Sequence, residues 1–241
     1  MEDKQNFSYL GCVAKISVQI GNVAAAVPAL EQMVSLKNTW IDGYVDIGHA
    51  FYKQADYENA LINYMKALRI GNLSGQEVTD QLLYQRAGHC YINLEKWEDA
   101  KVMFLMCAED YKTAFSHFFL GIACYNLGAY EEAERVISLV NYLDPSNSEA
   151  WAYLALVLLK RDNPPLNAAY QTMNESFKLG VTNASLMLEV ATAWYDLGCM
   201  QHVLETLQSL LRSKMTMTTM PDKLRMMKQI GARLQEVTAS D

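Results

Sequence analysis

The sequence predicts an all-α protein: a right-handed superhelix of about six helix hairpins closed by a C-terminal capping helix. Three observations carry that expectation. A code of large and small residues recurs six times; with residue 7 as position 1, the first unit has Leu10, Val13, Ala14, Ala26, Leu30 and Met33 at positions 4, 7, 8, 20, 24 and 27. The spacing is helical, with positions 4, 7, 8 and 11 on one face of a first helix and 20, 24 and 27 on one face of a second, so each unit reads as an antiparallel hairpin. Position 8 is Gly or Ala in every unit. A small residue there fits two close helices, and the expected neighbour is position 20 of the partner, because large side chains on both would push the axes beyond about 8 to 10 Å.

The units follow in order. A polar lead, residues 1–6, is expected to be disordered. Unit one, 7–40, has Pro28 near the start of its second helix, where the missing N–H costs little. Unit two, 41–74, repeats the register with Tyr44, Ile47, Gly48, Ala60, Tyr64 and Ala67. Unit three, 75–113, carries Tyr84, Ala87, Gly88, Ala100, Phe104 and Cys107, six residues later than a 34-residue period would place them. Ser74 followed by Glu77 has the form of a capping box, so the insert 75–80 reads as an early start of the third unit's first helix. Unit four, 114–147, has His117, Leu120, Gly121, Ala133, Ile137 and Val140. In unit five, 148–183, Trp151, Leu154 and Ala155 fit while Ala169, Met173 and Ser176 arrive two residues late; Asn163 reads as an N-cap, with Pro164 and Pro165 in the first turn. Unit six, 184–215, has Met187, Val190, Ala191, Val203, Leu207 and Leu210. After a short Met and Thr linker, Thr219 and Asp222 open a capping helix over 219–238, whose apolar Met220, Leu224, Met227, Leu234 and Val237 would cover the exposed end of the array.

This register resembles the tetratricopeptide repeat family, whose 34-residue pattern runs from a large residue through Leu-Gly and Tyr to Ala, an aromatic, Ala and Pro. The stretches IGHAFYKQADYENALINYMKAL at 47–68 and LGIACYNLGAYEEAERVISLVNYLDP at 120–145 carry it best, and the closing Pro is present only at Pro145. The run from Gly121 to Lys160, above all its AWAYLALVLLK segment, is similar to the C-terminal repeat region of the cilia- and flagella-associated protein 70 family, from which the Pro164-Pro165 turn departs. These resemblances imply a scaffold that binds protein or peptide, placed in a ciliary or flagellar axoneme. A cytosolic co-chaperone or trafficking adaptor that grips a peptide is the alternative.

Composition narrows the function classes. A net charge of −7 disfavours a nucleic-acid partner, although residues 205–241 hold six Lys or Arg against four Asp or Glu. The five cysteines, Cys12, Cys90, Cys107, Cys124 and Cys199, form no CxxC pair; Cys107 and Cys124 fall on packing positions, which implies a reducing compartment and core roles. No signal-peptide pattern and no apolar run near eighteen residues is present, so the expectation is a soluble intracellular protein without a membrane partner. There is no Gly-rich phosphate loop, HExxH, GxSxG or paired metal-ligand spacing, so the expectation is no enzyme and no cofactor.

Candidate binding residues come from the inward positions 2, 5, 9 and 12 of the first helices. Unit four places Phe115, Phe118, Ile122 and Tyr125 there and unit five Glu149, Ala152, Leu156 and Leu159, a strongly apolar stripe that packing between first helices, the chain's own C-terminal helix, or an external helix or peptide could cover. His49 and His89, both at position 9, join the candidate groove as partner hydrogen-bonders or neutral structural residues; as a metal pair they lack a third ligand. The family resemblance also implies a test. Family members that hold chaperone C-termini use Asn at position 9 and basic residues at positions 2 and 6, whereas position 9 here reads Lys15, His49, His89, Ile122, Leu156 and Thr192, and Arg86 is the single basic residue at position 6. Binding of an acidic chaperone tail is therefore not expected.

Overall fold

A computed structural model describes residues 2–212 apart from 21, 38, 77 and 79. The described residues form twelve α-helices and no strand. They divide into two units, Met1–Lys112 and Thr113–Asp241, each considered separately below.

In the first unit α1 (Glu2–Gln19) pairs with α2 (Val23–Leu36), α3 (Ile41–Lys53) with α4 (Tyr57–Ser74) and α5 (Gln81–Asn93) with α6 (Trp97–Tyr111). In the second, α7 (Ala114–Asn126) pairs with α8 (Tyr130–Leu143), α9 (Ser148–Leu159) with α10 (Leu166–Lys178) and α11 (Ala184–Asp196) with α12 (Met200–Arg212). Neighbouring hairpins stack through the second helix of one and the first helix of the next, α2 on α3, α4 on α5 and α8 on α9, and through first helices, α3 on α5, α7 on α9 and α9 on α11. This is the arrangement in which each repeat buries its apolar face on its neighbours alone. Position 20 is buried throughout, as Ala26, Ala60, Ala100, Ala133, Ala169 and Val203, and so is position 24, as Leu30, Tyr64, Phe104, Ile137, Met173 and Leu207.

The small residue at position 8 faces a different neighbour from the expected one. A Cβ on Gly48 would stand 2.5 Å from Cε1 of Tyr64, and one on Gly88 would stand 2.6 Å from Cε2 of Phe104; at Gly121 it would run into Ile137. Each of these is position 24, not position 20. The glycine is needed because the large ring or branched chain at position 24 occupies the space a Cβ would take at that point.

Helix ends explain the turn geometry. Position 0 caps the first helix with a side-chain oxygen in four units: Asp80 accepts from Leu82 N at 2.9 Å, Thr113 from Ser116 N at 3.2 Å, Asn147 from Ala150 N at 3.0 Å and Asn183 from Leu186 N at 3.2 Å. The turn inside a hairpin is closed by a residue with positive φ at position 15, Ala55, Glu95, Gly128 and Gly198, and the next N–H donates five residues back, as in Asp56 N to Phe51 O at 3.1 Å and Ala129 N to Cys124 O at 3.0 Å.

Three local expectations change. The 75–80 insert does not lengthen α5: α4 continues to Ser74 and stops at Gly75, in the left-handed region with φ 66°, and α5 begins only after Asp80. A Gly after Ser74 ends a helix more strongly than the Ser-Glu pair starts one, because φ > 0 carries no side-chain penalty there. Asn163 is not the cap of α10; Pro165 occupies the N-cap position and the helix begins at Leu166, so both prolines precede it. Helix α1 begins at Glu2, taking in residues read as a disordered lead. Pro28 stands in the second turn of α2, exposed, where its ring costs one backbone bond. The capping helix expected over 219–238 lies outside the described residues.

Candidate partner-binding faces

In the first unit both position 9 histidines contact rings of their own hairpins. His49 on α3 shares a 2.7 Å hydrogen bond through Nδ1 with the Tyr64 hydroxyl of α4, the rings meeting edge to face at 5.4 Å. Burial, helped by the nearby charges of Arg86 and Lys53 and opposed by Asp80, pushes the imidazole down to about 4, so it is neutral at neutral pH. His89 on α5 stands edge-on to Phe104 at 5.8 Å, and burial lowers its pKa as well. The repetition has a simple origin: position 9 lies one residue beyond the glycine that lets the position 24 ring close, so it meets that ring from the side. Cations of the unit already cover aromatic faces, with Lys66 Nζ 4.5 Å above Tyr44 and the Arg86 guanidinium 5.3 Å above Tyr52. Among the described residues no group of three His, Cys, Asp or Glu is placed to hold a metal ion.

The second unit is built differently. Along α7 the Phe119 ring is tilted against Phe115 at 4.8 Å and edge to face with Phe118 at 5.4 Å, and Phe118 and Tyr125 both approach Tyr153 of α9, at 5.6 and 6.2 Å between centroids. The Tyr125 hydroxyl donates a 2.5 Å hydrogen bond to Glu189 Oε1 on α11, joining first helices 64 residues apart in sequence. Asn183, whose Oδ1 caps α11, also donates from Nδ2 to Glu149 Oε2 at 3.3 Å, so one residue starts a helix and orients a carboxylate of the preceding repeat. Tyr153 is pushed up to about 12, first by burial and then by the charges of Glu189 and Glu149. Tyr125 is raised too, mainly by burial and then by its bond to Glu189.

The stripe read from the sequence is brought together but is not an open groove. Phe118, Ile122 and Tyr125 are each only 8% exposed, Leu156 and Leu159 are buried, and Phe115 alone, at 44%, is exposed. His49 and His89 are half-buried against rings of their own hairpins. Tyr153 and Glu189 stand at position 6 of units five and six, beside the positions from which the candidates were read, and Glu149 is the one charged residue at those positions in units four and five. Among the described residues no helix is long and apolar enough to cross a membrane.

A family model described as the cilia and flagella-associated protein 70 C-terminal domain matches residues 22–239. The chain belongs to that family. It is 29% identical over 152 residues to cilia- and flagella-associated protein 70 of Homo sapiens, a match covering 63% of this chain and 13% of the human protein. With the Macaca fascicularis protein of the same name it shares 33% over 117 residues, 48% of this chain and 11% of that protein. Solved structures share the fold at low identity. MamA from Desulfovibrio magneticus RS-1 superimposes with a TM-score of 0.63 at 14% identity, covering 72% of this chain and 94% of MamA. YrrB, described as a TPR protein with an unusual peptide-binding site, gives 0.63 at 18%, covering 69% of this chain and 82% of YrrB. The fold is thus the all-α tetratricopeptide-repeat solenoid.

Proposed function

We propose that this chain is a non-catalytic protein-binding scaffold of the cilium or flagellum, holding a peptide or helix of an axonemal protein on its first-helix faces. The family match across residues 22–239 carries this reading. Support comes from YrrB, a repeat protein of the same fold described as binding peptide, and from the aromatic and acidic side chains of the second unit. The names of the relatives support ciliary or flagellar over cytoplasmic placement.

The test is to express the tagged full chain in ciliated cells and to extract cilia with detergent. Retention in the axonemal fraction, with crosslinking to an axonemal protein, is the expected result. Release with the cytosol, together with capture of chaperones or trafficking proteins, would replace this reading by the adaptor one.

A further inference from the structure

We propose that the first unit holds a pocket for one aromatic side chain of a partner peptide, seated on Leu30 and Met33 between α1 and α3, with a basic residue of the same peptide beside it meeting Asp46. The inference rests on the scaffold reading above and adds the chemistry of the partner.

A cavity of about 380 Å³ lies among α1, α2 and α3, within the range of about 300 to 1,000 Å³ typical of ligand pockets. Buried Ala14, Leu30 and Met33 line it together with the half-buried ring of Trp40. Gly11, which also lines it, explains why the space is open. It stands at position 5, and the same position in unit four is Phe118, whose ring packs at 5.6 Å on Tyr153 at position 6 of the following unit. In units one and two the corresponding pair is Gly11 and Asp46, and both face the cavity. Where one pair of repeats fills the gap between consecutive first helices with its own ring, this pair leaves room for a ring from outside. A Cβ built on Gly11 would stand 3.4 Å from Cε of Met33, the flexible end of that side chain, so the space beside the glycine can take bulk. Trp40 gives an incoming ring an aromatic neighbour to pack on. Lys15 and Asp46 complete the lining and are exposed, so the cavity opens to solvent beside them. A lysine there can lie over the bound ring, as Lys66 and Arg86 lie over Tyr44 and Tyr52 in the same unit. Asp46 carries the opposite charge, and a basic residue next to the aromatic one in the partner complements it.

The experiment pans a phage-displayed library of random dodecapeptides on the purified full chain. Enriched sequences are expected to share Phe, Tyr or Trp next to Lys or Arg. The leading peptide, synthesised with a fluorescein label, should lose at least about tenfold in affinity when its aromatic residue becomes alanine. Gly11→Phe, which supplies from within the ring that unit four carries at this position, should weaken binding of that peptide by at least about tenfold. Asp46→Asn should lose about three- to tenfold, whereas Asp162→Asn, at an exposed position after α9, removes the same charge and should stay within about twofold. Should Gly11→Phe fail to fold, Asp46→Lys, at an exposed position, carries the test and should lose at least about tenfold. No enrichment, enriched peptides without an aromatic residue, full affinity in Gly11→Phe, or equal loss in Asp46→Asn and Asp162→Asn would each overturn the proposal. A Gly11→Phe chain that crosslinks to the axonemal partner as strongly as the parent does would overturn this inference and leave the scaffold reading standing.

Discussion

Replacing Gly48 by Ala separates local helix propensity from hairpin packing, because the two predict opposite signs. Gly48 lies inside α3, and an interior helical Gly→Ala change normally stabilises by about 1 kcal/mol. Here the added methyl would stand 2.5 and 2.6 Å from Cε1 and Cδ1 of Tyr64. That ring cannot retreat cheaply: it is fully buried, and its hydroxyl is tied at 2.7 Å to His49, the residue next to the substitution. Overpacking costs about 1 to 3 kcal/mol, and a broken hydrogen bond adds about 1 kcal/mol. The sum exceeds the propensity gain, so net destabilisation of about 1 to 3 kcal/mol is expected, with about 2 to 4 °C lost from the melting temperature per kcal/mol in a chain of this size. Urea titration followed by circular dichroism measures it, and because repeat arrays can unfold in parts, the amplitude of each phase is fitted separately. A coupling test follows: Tyr64→Leu should cost less in the Gly48→Ala background than in the parent, since it removes the clash there. Melting of Gly48→Ala at or above the parent temperature would refute the close approach of position 24 to position 8.

Four further outcomes are expected. Ala55 and Glu95 hold φ values of 58° and 56°, at the turn position where Gly128 and Gly198 stand in other hairpins, so Ala55→Gly and Glu95→Gly should each raise stability by about 0.5 to 1 kcal/mol while Gly128→Ala lowers it, read by thermal melting. The folded state holds His49 neutral down to about pH 4 whereas an unfolded histidine protonates near 6.5, so the unfolded chain binds more protons between those values; the contribution is fully present above about 6.5 and is lost as pH falls, and melting at pH 5 against pH 7 should differ more in the parent than in His49→Asn. Phe118→Ala should destabilise the fold by about 3 kcal/mol in urea titration, since the ring packs on Tyr153 and is nearly buried, rather than leave stability intact as an open groove would. An acidic chaperone tail peptide should show no micromolar binding in calorimetry, position 9 lacking the Asn that would hold its carboxylate.

The sequence by itself determined the hairpins, their register and their small and large positions, because helical periodicity and the volume of a side chain are local properties that survive without coordinates. Gly48, Gly88 and Gly121 marked close approaches from the sequence alone. Which residue approaches them was a tertiary matter: positions 20 and 24 lie on one face of the second helix, and only the crossing of the two helices selects Tyr64, Phe104 and Ile137. Helix ends fell between these cases. Asp80, Thr113, Asn147 and Asn183 are residue types that cap helices, yet their role emerged only from the structure, and the 75–80 insert held two competing signals between which the left-handed backbone of Gly75 decided. The candidate site was the least legible part. An apolar stripe at positions 2, 5, 9 and 12 looks the same whether it faces a partner or a neighbouring helix, and stacking of adjacent first helices buries most of it. Tyr125 and Glu189 meet across 64 residues, and Glu149 is oriented by the residue that caps the next repeat. Such pairings arise from how the repeats are set against one another, which no single repeat encodes.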